Sequence, residues 1–453
     1  MQREAVVNLG PKIERREARM CVMGLGYVGL PLATEFARLG FPVTGLDVNE
    51  DRVASITRGE SYVQDVSSED VAELVEKGSL TATTDGEALK QMDIIFICVP
   101  TPFTKTKTPD LSYVVGASQE IARHVQPGQL IILQSTTYPG TTEEDVLPIL
   151  ESSGLKAGHD FHLAFSPERV NPGDRRYSVA NTPKVVGGVS RRCAELAQLV
   201  LRQLMPEVHM VSSPRAAEMT KLLENIFRSV NIALINELAK LSERMEIDIW
   251  EVIEAASTKP FGFMPFYPGP GVGGHCVPVD PYYLFWKARE YDFYPRFIEL
   301  AAELNQGMPY HVLTKIVEAL NSKGKTLSQS KVLVLGVSFK PDVDDARNSP
   351  AQRVIELLLS RGADVSYNDP HIPQFTVGRD VFYHDEQTLA SIPLTEELLE
   401  SQDCVVIVAA HSSYDYDWIV AHTPLVVDTM NSTKGIRAHR DRIFRVGAPP
   451  PGQ

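Results

Sequence analysis

Apolar positions fall along this chain in two rhythms, and the change between them near residue 210 divides it. Short unbroken apolar runs come first. Residues 19–29 lead into a tight turn, and Pro42–Asp47, Asp93–Val99, Leu130–Gln134, Phe161–Phe165 and Lys184–Gly187 repeat the signal. Runs of this length without alternation suit strands buried on both faces. Segments of helical composition lie between most of them, the first from Leu30 to Leu39. The alternation predicts a parallel, doubly wound sheet. The rhythm then lengthens. Ser213 can cap a helix with Pro214 at its first position, and no Gly or Pro interrupts Arg215 to Glu246. That predicts a helix of about 30 residues, about 45 Å long, with more helix to Ser257 and another stretch over 296–322. Lys331–Gly336 restarts the strand pattern, followed by a helix from Pro350 to Arg361 and strands at Ala363–Tyr367, Asp403–Ala409 and Leu425–Asp428. The expected fold class is therefore α/β. An N-terminal Rossmann domain covers 1–210, a central long-helix region 211–322, and a C-terminal Rossmann-like domain 323–453. The Gly/Pro-rich end, 447–453, is expected to be disordered.

At 453 residues the chain exceeds one compact core, which agrees with several domains. Hydrophobic and charged contents of 43% and 23% are ordinary for a globular protein. No apolar run reaches the roughly 18 residues of a membrane span. The first nineteen residues are charged and lack the apolar stretch of a signal peptide, so the expected location is the cytoplasm. A net charge of −14, without basic clusters interleaved with aromatics, argues against nucleic acid as a partner. The five cysteines, Cys21, Cys98, Cys193, Cys276 and Cys404, include no C-x-x-C pair, so neither a disulfide framework nor a metal site is expected. Cys21, Cys98 and Cys404 sit in apolar runs as core residues do. Cys193 falls at a polar helix start.

Gly24-x-Gly26-x-x-Gly29 follows a strand and opens a helix, the context in which this motif binds a dinucleotide. Gly24 permits the turn, Gly26 admits the pyrophosphate to the backbone, and Gly29 lets helix and strand pack closely. Asp47 ends the next strand, where a carboxylate accepts both ribose hydroxyls and repels a 2′-phosphate. NAD is thus favoured over NADP; a flavin or another nucleotide are the alternatives for the loop alone. Pro100-Thr101 and Ser135-Thr136 follow the strands at 93–99 and 130–134 at the same sheet edge, where either cofactor contact or plain turn chemistry accounts for them.

Cys276 lies in Gly269-Pro-Gly-Val-Gly-Gly-His-Cys-Val-Pro-Val-Asp280-Pro281, a backbone of glycines and prolines around one thiol with a carboxylate four residues on. A nicotinamide site with a placed thiol suggests oxidation of an alcohol past the aldehyde, the sulfur holding the aldehyde while the cofactor is exchanged. Lys221 and Asn225 share one face of the long helix, and an ammonium with an amide suits a developing oxyanion. Phe261, Phe263, Met264, Phe266 and Tyr267 precede the loop and suit core packing or a subunit interface equally.

Five blocks in order, GLGYVGLPLA (24–33), SPERVNPG (166–173), KLLENIFRSVNIALINE (221–237), KPFGFMPFYPGPGVGGHCVPVDPYYL (259–284) and GVSFKPDVDDARNSP (336–350), carry a resemblance. The chain resembles the nucleotide-sugar dehydrogenases, which include the UDP-glucose and GDP-mannose 6-dehydrogenases, and within them the UDP-N-acetylglucosamine 6-dehydrogenase branch. The resemblance implies an NAD-dependent four-electron oxidation at sugar C6 of a UDP-sugar, with UDP-GalNAc, UDP-ManNAc and UDP-glucose as alternative substrates. It implies Cys276 as nucleophile, and Lys221 and Asn225 on the C6 oxygen. Asp280 would assist proton transfer or the hydrolytic water, Glu168 would act as acid/base or water-orienting group, and Thr136 would lie near the reacting carbon. Cofactor contacts would fall to Gly24, Gly26, Tyr27, Val28, Gly29, Asp47, Arg52, Pro100, Thr101, Ser135, Thr136 and Arg347. Substrate contacts would fall to Glu168, Arg169, Val170, Lys221, Asn225, Phe266, Tyr267, Gly273 and Lys340. It also implies a homodimer or larger homo-oligomer through the central helix.

Two positions depart from the UDP-glucose branch. Pro172 stands where that branch has a second Glu, so its work falls to Glu168, Asp280 or water. His275 precedes the nucleophile where that branch has Ser; a neighbour in an extended loop points away from Cys276, which favours substrate contact or loop support over a base. A two-electron β-hydroxyacid dehydrogenase of the 6-phosphogluconate type shares the Lys-x-x-x-Asn helix but has no use for Cys276. A non-catalytic NAD-binding scaffold leaves the thiol, Lys221 and Asp280 without purpose.

Overall fold

The computed structural model describes residues 9–63, 65–104, 108–169, 179–274, 277–378 and 383–451. Two compact units emerge, Met1–Glu224 with Tyr282–Phe293, and Asn225–Pro281 with Tyr294–Gln453.

The first unit is built on one sheet: β1 Met20–Met23, β2 Val43–Leu46, β3 Leu80–Thr83, β4 Ile94–Ile97, β5 Leu130–Leu133, β6 His162–Phe165, β7 Lys184–Gly188 and β8 Val208–Met210. Their spatial order is β3-β2-β1-β4-β5-β6-β7-β8, so the strand order reverses between β1 and β4, the place where α/β sheets bind ligands. The strands from β3 to β6 are parallel. β7 then runs antiparallel to β6, pairing Phe165 with Gly187, and β8 runs parallel to β7. Hydropathy carries no strand direction, because a strand buried on both faces reads the same either way. Successive side chains of a strand point to opposite faces. Met20 and Val22 accordingly join one apolar cluster with Ile94, Phe96, Leu130 and Ile132, and Cys21 and Met23 join the other with Ile95, Ile97, Ile131 and Leu133.

The long helix Pro214–Arg244 has 31 residues, as the absence of Gly and Pro predicts, and continues from the first unit into the second after Glu224. The second unit holds β9 Lys331–Leu335, β10 Asp364–Asn368, β11 Gln374–Val377, β12 Gln387–Ala390, β13 Cys404–Ile407, β14 Val426–Asp428 and β15 Ile443–Arg445. The parallel sheet runs β10-β9-β13-β14-β15, and β11 and β12 form a separate antiparallel ribbon. Val332 and Val334 face one apolar cluster, Leu333 and Leu335 the other.

The disorder expected at the C-terminal end does not hold for 447–451. The Gly447 N–H donates to Glu243 at 2.6 Å, and its carbonyl accepts from the Ile249 N–H at 2.8 Å. The Trp250 indole donates to the Val446 carbonyl at 2.8 Å. Glu243 also binds His311 at 3.0 Å and the buried Lys315 at 2.9 Å, so the tail joins a charged hub rather than solvent. Residues 452–453 lie outside the described residues. Among the described residues no helix is long and apolar enough to cross a membrane.

Candidate active site

The dinucleotide turn leaves β1 at Gly24, whose φ is +89°. A Cβ there would stand 2.8 Å from the Cys98 carbonyl oxygen, and one on Gly29 would stand 1.8 Å from the Gly24 oxygen. A Cβ on Gly26 would meet nothing within 4 Å. Two glycines are thus required by the fold itself, while the third opens space in front of the helix Gly29–Arg38, whose N-terminal amides favour a phosphate. Beside this space Tyr27 is exposed and Val28 half-buried. Asp47 follows β2; its Oδ2 accepts the Leu25 N–H at 2.8 Å and its Oδ1 the Asn49 N–H at 2.9 Å. Arg52 approaches the same carboxylate at 3.3 Å. These bonds fix the turn against the carboxylate and take three of the about four acceptor positions a carboxylate offers, which leaves one for a ribose hydroxyl.

Pro100 and Thr101 follow β4, exposed and half-buried respectively. The Tyr283 hydroxyl donates to the Thr101 carbonyl at 2.6 Å, tying this loop to the helix Asp280–Ala288. Ser135 follows β5 and donates to the Val99 carbonyl at 2.7 Å, with Thr136 half-buried beside it. The ends of β1, β2, β4 and β5 therefore form one edge, and the open ground at Gly26 with a carboxylate at the end of β2 fits NAD.

A buried polar cluster lies at the ends of β5, β6 and β7. Gln134 donates to Glu168 Oε2 at 2.7 Å, the Arg169 N–H donates to Oε1 at 2.7 Å, and Lys184 Nζ stands 3.1 Å from Oε2. Lys221 Nζ donates to the backbone carbonyl of Glu168 at 2.7 Å. Arg169 is held by Glu224 at 2.6 Å and by the Pro183 carbonyl at 2.7 Å. Glu218, fully buried one turn before Lys221, accepts from the Gly140 N–H at 2.6 Å and from Thr142 N–H and Oγ1 at 2.9 and 2.6 Å. It closes the start of the helical turn Thr141–Val146, just beyond the Ser135–Thr136 loop.

In the second unit Asn225 donates its amide to the carboxylate of Asp280, the first residue of the helix Asp280–Ala288. Lys221 and Asn225 sit one turn apart on the same helix, as the spacing predicts. Lys221 meets a backbone carbonyl and Asn225 meets Asp280. The glycine run is packed against 339–350. The Gly274 N–H donates to the Arg347 carbonyl at 3.0 Å, and Asn348 donates to the Gly274 carbonyl at 3.0 Å. A Cβ on Gly273 would stand 2.8 Å from Phe339 and 2.9 Å from Pro350. His275 and Cys276, which this run leads into, lie outside the described residues, as do Val170 and Pro172. Arg347 pairs with Asp345 at 2.6 Å, and the Lys340 ammonium lies 5.6 Å over the Phe339 ring. Phe266 packs edge-on to Phe227 at 5.7 Å, and Tyr267 stacks on Trp250 at 5.9 Å.

The second sheet repeats the device of the first. Gly336 has φ +78°, and a Cβ there would stand 2.4 Å from the Ala409 carbonyl oxygen. Asp369 follows β10 and accepts the Val337 N–H at 2.7 Å, the Ser338 N–H at 3.0 Å and the His371 N–H at 2.8 Å. This carboxylate is closed over by His411 at 3.0 Å, with both side chains fully buried. The place that Asp47 takes after β2 in the first unit is taken in the second by a carboxylate sealed under His411. Sequence reading found neither this seal nor Lys184 and Gln134. The one available signal was a lysine heading an apolar strand.

The NAD-binding-domain profile of the UDP-glucose/GDP-mannose dehydrogenase family matches residues 18–205. The central-domain profile matches 215–307 and the UDP-binding-domain profile 333–435. A UDP-N-acetyl-D-glucosamine 6-dehydrogenase of Pseudomonas aeruginosa is 40% identical over 359 residues, covering 79% of this chain and 84% of the relative. One from Salmonella typhi is 36% identical, covering 88% of this chain and 91% of the relative. The solved UDP-D-ManNAc dehydrogenase of Pyrococcus horikoshii superposes with TM-score 0.84 at 34% identity, covering 95% of this chain and 99% of that one. The chain therefore belongs to the UDP-glucose/GDP-mannose dehydrogenase family, as an NAD-dependent UDP-sugar dehydrogenase.

Proposed function

We propose that this enzyme oxidises the C6 hydroxyl of a UDP-N-acetylhexosamine, UDP-N-acetylglucosamine first among them, to the uronic acid. The observation that supports the reading is that, within each unit taken by itself, the long helix binds a segment bearing a candidate acid. Lys221 takes the Glu168 carbonyl and Asn225 the Asp280 carboxylate. Bound NAD supplies a hydride acceptor in each of two oxidations. In the first, a C6 hydrogen departs as hydride and the hydroxyl proton leaves, giving the aldehyde. The Cys276 sulfur adds to that carbon while the oxygen takes a proton, forming a thiohemiacetal. Loss of the second hydride and a proton gives the thioester. Water then breaks the C–S bond and releases carboxylate and thiol. One alcohol, two NAD and one water become one carboxylate, two NADH and three protons.

Lys221 and Asn225 hold the C6 oxygen as its charge changes, Asp280 accepts the proton, Glu168 orients the hydrolytic water, and Thr136 borders the reacting carbon. Gly24, Gly26, Tyr27, Val28, Gly29, Asp47, Arg52, Pro100, Thr101, Ser135, Thr136 and Arg347 serve the cofactor. Arg169, Val170, Phe266, Tyr267, Gly273 and Lys340 serve the UDP-sugar. The division 1–210, 211–322 and 323–453 follows these tasks. A homodimer in the cytoplasm completes the reading: Met219, Leu223, Phe227, Leu234 and Leu241 are all exposed at steps of four and seven along the long helix, one continuous apolar stripe. The relative named for UDP-D-ManNAc keeps the C2 epimer as the competing substrate. The test is a panel of UDP- and GDP-sugars with NADH counted per sugar consumed. The reading expects UDP-N-acetylglucosamine to give the highest kcat/KM at two NADH each. One NADH per sugar contradicts it.

A further inference from the structure

Lys184 opens β7 with its side chain only 1% exposed. Its ammonium stands 3.1 and 3.3 Å from the two carboxylate oxygens of Glu168. A buried ammonium without an anion, or a buried carboxylate without a cation, is strongly disfavoured, so each side chain fixes the charge of the other. Two further partners agree. Gln134 points its amide N–H at Oε2, at 2.7 Å, and the backbone N–H of Arg169 points at Oε1, at 2.7 Å. A protonated Glu168 would turn its own donor toward these donors. The orientation of the Gln134 amide fits too, because its oxygen accepts the weak S–H bond of buried Cys98, at 3.8 Å. Burial pushes the Cys98 thiol well above its ordinary range, which keeps it a donor. Glu168 is gripped from its backbone as well, since Lys221 binds its carbonyl at 2.7 Å. Two lysines thus hold the two ends of one residue, Lys184 from the sheet and Lys221 from the long helix.

We propose that Lys184 is a positioning residue of the hydrolytic step, holding Glu168 ionised and in one rotamer. The inference rests on the water-orienting role proposed above for Glu168, and it restricts that role. Glu168 accepts a hydrogen bond from the attacking water and does not serve as a proton donor. Removing the lysine charge leaves a buried carboxylate without its cation, which disfavours the ionised form.

The test compares wild type, Lys184→Met, Glu168→Gln and the double variant in steady-state turnover of UDP-N-acetylglucosamine across pH, beside the pre-steady-state NADH burst. Lys184→Met is expected to move the acidic limb of kcat upward by about 1–3 pH units, sparing the burst, and Lys184→Arg is expected to restore the limb. In the Glu168→Gln background the lysine change is expected to have no further effect on kcat. Should the methionine variant not fold, Lys184→Gln removes the charge, keeps one donor for Glu168 and gives the same readout. A wild-type acidic limb in the charge-removed variant, with only a lower Tm, overturns the proposal. An equal fall in kcat on the wild-type and Glu168→Gln backgrounds overturns it too. Failure of the underlying reading shows separately: Glu168→Gln alone, with Lys184 intact, would then hydrolyse at the wild-type rate.

Discussion

Replacing Glu218 removes the group that joins the long helix to the loop beyond β5. Its carboxylate is fully buried and takes three donors, the Gly140 N–H, the Thr142 N–H and the Thr142 hydroxyl. In Glu218→Ala the hydroxyl can rotate to another acceptor, but the two backbone donors cannot. Each orphaned buried donor costs about 1–3 kcal/mol. With water entering the vacated volume, a loss of about 2–4 kcal/mol is reasonable, which lowers Tm by about 4–16 °C at about 2–4 °C per kcal/mol. Glu218→Gln keeps the volume and one acceptor oxygen but turns an NH2 toward a donor, so it loses about 1–3 kcal/mol. The pH dependence carries a sign. Burial, the largest influence, pushes the Glu218 carboxyl above the ordinary carboxylate range, against the opposing bonds from Thr142 and Gly140. Its contribution is fully present below the unfolded pKa and declines as pH rises through the raised native value. The Tm gap between wild type and Glu218→Gln should therefore be wider at about pH 4.5 than at about pH 7.5. Differential scanning calorimetry at both pH values reads this directly. A Glu218→Ala protein with wild-type Tm, or a gap that widens with pH, refutes the reasoning.

The remaining predictions concern the two glycine turns and their carboxylates. Gly26→Ala meets open space, so its Tm should match wild type while NADH affinity falls at least about tenfold, or about 1.4 kcal/mol, by fluorescence titration. Gly29→Ala puts a carbon 1.8 Å from a backbone oxygen and should lower Tm and affinity together; equal behaviour of the two variants would contradict this. Asp47→Ser removes the repulsion toward a 2′-phosphate and should raise the NADP-to-NAD preference at least about tenfold, which competitive binding measures. Asp369 is pushed up by burial, but its bonds from His411 and from the backbone of His371 and Val337 bring it below the ordinary carboxylate range. Its stabilisation is present above the unfolded pKa of about 3.9 and lost as pH falls through the lower native value. Asp369→Asn should flatten the acid arm of urea-unfolding stability in that window.

The fold was most legible where burial was most complete. Ile94–Ile97 and Leu130–Leu133 are buried at every position and read as strands from apolar run alone. The edge strands Leu80–Thr83 and Val208–Met210 bury only their first residue and carry no such run. The Gly447 tail resembles a disordered end in composition, because composition does not register the fixed partners Glu243, Ile249 and Trp250 that hold it. Of the site, the glycine turn and Asp47 were legible because the motif dictates its own geometry. Lys184 was not, since its partner Glu168 lies sixteen residues away and no local pattern links them. The seal of Asp369 by His411 depends on two strand ends that meet only in the folded sheet.

The central claim is that one sulfur carries the sugar between two oxidations. It is tested most directly by single turnover, with enzyme in excess over UDP-N-acetylglucosamine, NADH counted optically and the Cys276 peptide weighed after acid quench. The account predicts two NADH per sugar, a uronic acid product, a transient sugar adduct on that peptide, and no acid from Cys276→Ser. Two NADH and acid from Cys276→Ser, or a wild-type reaction that stops at one NADH and free aldehyde, would contradict it.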